Sequence, residues 1–149
     1  LTRNALTILK SNGLNVEILT KGGMRAARDF DLLGDGDAFA TTLTFLDLNK
    51  SLEWEPKAAA PEDRMKAMKL AHSKGIKTWA SLEPVISPEE SLELIRETHH
   101  YVDLFKVGKL NYNSVSKEID WERFTHEAVD LLKSLGANYY IKKDLQMYL

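Results

Sequence analysis

Ile76-Lys77-Thr78-Trp79-Ala80-Ser81-Leu82, ending at Glu83-Pro84 and followed by Ser87-Pro88-Glu89-Glu90, is the stretch that decides the fold. A β-rich run stops at a charged residue and passes into a helix start, with Ser87 as the N-cap and Glu90 completing a capping box. The same unit recurs along the chain. Runs at Val16 to Lys21, Phe39 to Leu46, Val102 to Leu110 and Tyr139 to Lys142 alternate with amphipathic helical patterns. Serial βα repetition specifies a parallel sheet, and such folds collect their chemistry at the carboxyl ends of the strands.

The expected class is therefore α/β: a partial (β/α), TIM-like barrel of about four to five parallel strands with helices outside. A chain of 149 residues, 44% hydrophobic and 28% charged, can bury a real core. A closed eight-stranded barrel needs roughly 250 residues, so about half a barrel is present. No linker or low-complexity segment appears, and residues 1–149 read as one folding unit. Leu1 opens directly on a helix with no strand before it, so the chain reads as a fragment, the carboxyl-terminal portion of a longer barrel. Its expected partner is the missing amino-terminal half, and exposed strand edges add an expectation of self-association.

Charge and composition narrow the function classes. A net charge of −2 gives no global basic field, so a nucleic-acid partner would need a local patch. No apolar run reaches the roughly 20 residues of a membrane span, and no membrane partner is expected. The chain has no cysteine, which removes disulfides, thiolate metal sites and cysteine nucleophiles, and suits a cytoplasmic location.

Between the strands, Leu1, Ala5, Ile8 and Leu9 fall on one face of a first helix that Asn12-Gly13 ends. Met24 to Leu33 has a helical period, broken by the turn Gly34-Asp35-Gly36-Asp37. Asp47 to Ala60, containing Trp54 and Pro56, is the longest irregular stretch and reads as a surface loop. Pro61-Glu62-Asp63 starts a helix with acids at its amino end. Trp121 to Leu135 is the last long helix.

In Phe39-Ala40-Thr41-Thr42-Leu43-Thr44-Phe45 the bulky residues Phe39, Leu43 and Phe45 share a face, leaving Ala40, Thr42 and Thr44 on the other. Applying that parity to every run puts Lys21, Thr42, Thr44, Ser81, Glu83, Lys106 and Lys142 on the inner face near strand ends. A mouth of alternating charge and hydroxyls suits a zwitterionic or polar ligand, with Lys for a carboxylate and Glu for an ammonium or a ribose hydroxyl. Lys21-Gly22-Gly23 before a helix also offers backbone N–H groups to an anion. His99-His100 has no ligand-spaced partner and reads as a solvated helix end.

The strings Ile18-Leu19-Thr20-Lys21, Arg28-Asp29, Thr41-Thr42-Leu43-Thr44, Pro61-Glu62-Asp63-Arg64, Leu82-Glu83-Pro84-Val85-Ile86 and Phe105-Lys106-Val107-Gly108-Lys109-Leu110-Asn111 occur in order from Val16 to Asn111. Together they resemble the spore photoproduct lyase-like, DNA repair photolyase-like branch of the radical S-adenosylmethionine enzymes. The resemblance implies a partial barrel in which a cysteine triad holds a [4Fe–4S] cluster and S-adenosylmethionine is cleaved to a radical. It further implies that Lys21 stands near the S-adenosylmethionine carboxylate and Thr42 beside the cofactor. Strand parity adds Thr44, Glu83 and Lys106 to that cofactor-binding set. Without cysteine, the cluster and S-adenosylmethionine are expected in the full-length parent, with neither on this chain alone. The parent is then a lyase acting on a nucleobase lesion, while this piece is inactive. Two other readings stay open: an ordinary (β/α)-barrel enzyme with a catalytic or phosphate-binding lysine at Lys21 or Lys106, and a non-catalytic half-barrel interaction module.

Overall fold

The computed structural model describes residues 1–149. The alternation at Phe39–Phe45 forms β2 (Ala38–Thr42), flanked by β1 (Glu17–Thr20) and β3 (Lys77–Val85), with β4 (Leu104–Lys109) and β5 (Tyr139–Ile141) beyond. All pairings are parallel and the strands lie in sequence order, β1-β2-β3-β4-β5. The structure is thus an α/β fold with five parallel strands, the wall of a partial (β/α) barrel. A bulge interrupts the β3–β4 ladder between Leu82 and Val85. No helix is long and apolar enough to cross a membrane.

The helices are α1 (Thr2–Ser11), α2 (Leu48–Trp54), α3 (Pro61–Ser73), α4 (Pro88–Thr98), α5 (Trp121–Ser134) and α6 (Lys143–Gln146). Strand periodicity decides what they cover. Phe39, Ala80, Leu82, Phe105, Val107 and Ile141 project from one face into a single core with Met68 of α3, Ile95 of α4 and Leu132 of α5. Removing a large side chain there costs both its transfer energy and a cavity. The other face carries Leu19, Ala40, Trp79, Leu104 and Tyr140, of which Leu19 and Tyr140 stay about half exposed.

Three local expectations change. In α1 only Leu6 is buried, whereas Leu1, Ile8 and Leu9 are exposed. Charge docks this helix instead: Arg3 pairs with Asp31 at 2.6 Å and Lys10 with Asp37 at 2.6 Å. The segment Gly23–Leu32 winds as a 3₁₀ helix, tied near its start by the Asp63 carboxylate on Met24 N–H and further along by Arg3 on the Arg28 carbonyl. Asp47 to Ala60 is not a bare loop, because α2 occupies half of it. Asp47 caps α2 by accepting from Asn49 and Lys50 N–H.

Candidate functional site

Register arranges the polar residues of the open face in rows. Thr42 pairs with Ser81, Ser81 with Lys106, and Lys106 with Tyr140, while Lys21 directly follows the Thr20–Thr41 pair. One row therefore runs Lys21, Thr42, Ser81, Lys106, Tyr140. Two residues further along stand Thr44, just past the end of β2, Glu83 in β3, Gly108 in β4 and Lys142, just past the end of β5. Period-2 geometry sets the first row once the strands pair in that register; the second lies at and beyond the strand ends, with Glu83 inside the β3–β4 bulge.

The upper row is organised by charge. Glu83 and Lys142 form an ion pair at 2.5 Å. Gly108 makes the reach across β4 available, since a Cβ there would lie 2.8 Å from the Glu83 carboxyl group. On the opposite side of the mouth, Lys21 Nζ lies 2.6 Å from Glu55 Oε1, and Thr44 Oγ1 donates to Glu55 Oε2 at 2.7 Å. The same carboxylate receives Arg64 at 2.7 Å. Arg64 is fully buried, donating also to the carbonyls of Thr42 and Ala59 and to Ser51 Oγ. Burial pushes the Glu55 carboxyl pKa up, but Lys21, Thr44 and Arg64 outweigh it and hold the group below its ordinary value.

Lys106 shares the row but not the mouth. Its ammonium leans over the Trp79 ring, 3.4 Å from the centroid, and reaches Glu17 Oε1 at 3.5 Å, toward the amino ends of the strands. Beneath it the Trp79 indole N–H is buried with no partner. The Lys21-Gly22-Gly23 loop supplies its own acceptors, with Thr20 Oγ1 on Gly22 N–H and Asp63 on Met24 N–H. Gly23 has a φ of 57°, and a Cβ there would collide with Asp63 at 2.0 Å, so the loop is pressed onto α3.

Glu55 and Arg64 were not among the parity-derived residues. A signal for Arg64 existed: Arg64, Ala67, Met68 and Ala71 follow helical spacing, which places a guanidinium on the buried stripe of α3. Nothing local marks Glu55, whose side-chain partners Lys21, Thr44 and Arg64 lie on other elements of the chain. No group of three His, Asp or Glu side chains is placed to hold a metal ion. Both candidate catalytic lysines are ion-paired, Lys21 with Glu55 and Lys106 with Glu17.

No family model and no curated protein matches the sequence. The fold does have counterparts. It is similar to crystal structures of Streptococcus suis SuiB bound to S-adenosylmethionine (TM-score 0.73, 17% identity, covering 94% of this chain and 36% of that one). A second crystal structure of SuiB gives a TM-score of 0.72 at 17% identity, covering 94% and 35%. SuiB bound to precursor peptide SuiA gives 0.73 at 17%, covering 94% and 34%. The chain thus spans about a third of the length of the structures it matches, and what it shares with them is the fold.

Proposed function

We propose that this chain is part of a radical S-adenosylmethionine-type enzyme and forms one wall of its cofactor pocket, with Lys21, Thr42, Thr44 and Glu83 at the mouth. The observation carrying this reading is the convergence of those four residues at the carboxyl ends of three adjacent parallel strands, Lys21 just past β1, Thr42 and Thr44 at and past the end of β2, and Glu83 near the end of β3. The counterpart fold occurs in a protein crystallised with S-adenosylmethionine, and the ordered motifs from Val16 to Asn111 support the same family.

The donor set suits the amino acid portion of the ligand. Lys21 offers an ammonium to a carboxylate, Glu83 a carboxylate to an ammonium, and Thr42 and Ser81 offer hydroxyls between them. Lys21 is held by Glu55 and Glu83 by Lys142, so an entering zwitterion adds to these pairs and finds each charged group already fixed in place. The buried Trp79 and Ala40 layer beneath keeps water from the floor of the pocket. S-adenosylmethionine, when reduced, supplies a carbon radical in this family; the residues here bind and orient. The [4Fe–4S] cluster does not fit this chain, which has no thiolate to anchor it. Within the family, the spore photoproduct lyase-like branch, with a nucleobase lesion as substrate and an amino-terminal half-barrel as partner, rests on the sequence strings alone.

Titration of the ¹⁵N-labelled chain with S-adenosylmethionine tests the reading. Saturable shifts at Lys21, Thr42, Ser81 and Glu83 support it. Shifts confined to the helical side, or none, overturn it and return attention to the lysine-enzyme and interaction-module readings.

A further inference from the structure

We propose that Glu55 is the positioning residue of the mouth: through one carboxylate it ties Lys21, at the end of β1, to Arg64 and hence to the end of β2. The inference rests on the cofactor-pocket reading for its ligand, but not for its geometry.

Lys21 lies just past the last residue of β1, and its side chain is 42% exposed. An exposed lysine samples many rotamers, and holding it in one place requires a fixed partner. Glu55 is such a partner, because its own side chain is only 9% exposed and three donors hold it. Arg64 is the reason the carboxylate cannot wander. Its guanidinium is bound to the Thr42 carbonyl at 3.0 Å, so the position of Glu55 is inherited from the last residue of β2. The backbone closes the same circuit: Ala59 N–H donates to the Lys21 carbonyl at 2.9 Å, and the Ala59 carbonyl accepts from Arg64 Nε at 2.7 Å.

The charge count gives the circuit its use. Two cations share one carboxylate, which leaves the cluster with one net positive charge. Arg64 is sealed in the interior, so that charge reaches the ligand through Lys21. Glu55 Oε1 occupies one of three ammonium donors and leaves the rest for a ligand carboxylate. Glu55 therefore acts through Lys21 rather than on the ligand.

Two variants and two readouts test this in the intact chain. Glu55→Gln removes the charge; Glu55→Asp keeps a charge for Arg64 but shortens the reach to Lys21, so it decides the matter where Glu55→Gln does not fold. The first readout is the side-chain ¹H–¹⁵N ammonium signal of Lys21, expected to be slowly exchanging in the unaltered chain and lost in both variants. An unchanged signal overturns the proposal whatever the ligand does. The second compares S-adenosylmethionine with 5′-methylthioadenosine, which lacks the carboxylate. Loss of about tenfold in affinity for the first alone is expected, the scale of one charge-assisted contact. Equal weakening of both ligands marks a merely structural role and overturns the proposal. If neither ligand binds the unaltered chain, the cofactor reading fails, while the ammonium signal still decides the positioning role.

Discussion

Arg64 is the side chain on which the mouth depends most. It is 1% exposed, yet it is matched by a carboxylate, two carbonyls and a hydroxyl. Replacing it by methionine keeps the apolar stem and strands those acceptors, an outcome that costs about 3–5 kcal/mol for a broken buried pair. Urea denaturation measures it; a loss under about 1 kcal/mol would show that the acceptors find other donors. Acid acts on the same chemistry. Burial pushes the Asp37 carboxyl up, but Lys10 and the N–H groups of Gly34 and Val16 prevail and hold it below its ordinary 3.8. Glu55 and Glu90 likewise sit below their ordinary 4.5, again against the opposing effect of burial. A depressed folded-state value means the carboxylate form favours folding. That contribution is complete above the ordinary values and is lost as pH falls through the depressed ones. The urea midpoint should therefore drop as pH goes below about 4.5, and Asp37→Asn should flatten the lowest part of that fall. The inner-face residues were readable because strand parity needs only neighbours. Glu55 was not, because its role exists only after α2 folds back over β2.

At the scale of elements, α2 shows how a local signal is taken over by tertiary contacts. Ser87-Pro88-Glu89-Glu90 does begin α4, but Ser87 makes no side-chain cap bond. Glu90 turns instead to Leu46 N–H at 2.7 Å, Asp47 N–H at 3.0 Å and Lys50 Nζ at 2.5 Å. Two backbone donors and an ammonium are a stronger set than the single N–H of a capping box. Glu90→Ala should consequently loosen the start of α2 more than that of α4. Hydrogen exchange should quicken by at least about tenfold at Leu46 and Asp47. A change confined to the first turn of α4 would restore the local capping box. The first helix errs in the same direction: Ile8 and Leu9 have the right spacing for a buried face, but the ion pairs of Arg3 and Lys10 choose another.

For the whole molecule, the alternation of β-rich and helical runs was enough to specify class and strand number, since each βα unit repeats one pattern. What escaped was the packing of connections, which depends on residues distant in sequence. The outer edges of β1 and β5 have no strand beside them, and Leu19 and Tyr140 lie open on the inner face. Unpaired edges template pairing, so concentration-dependent association in light scattering is expected; a strict monomer at all concentrations would mean that the edges are protected. The sequential order of the sheet has a kinetic consequence as well. Because every strand docks beside the one made just before it, no strand waits for a later partner and contact order stays low for a parallel sheet. Such a chain can assemble in the direction of its synthesis, each βα unit serving as the template for the next.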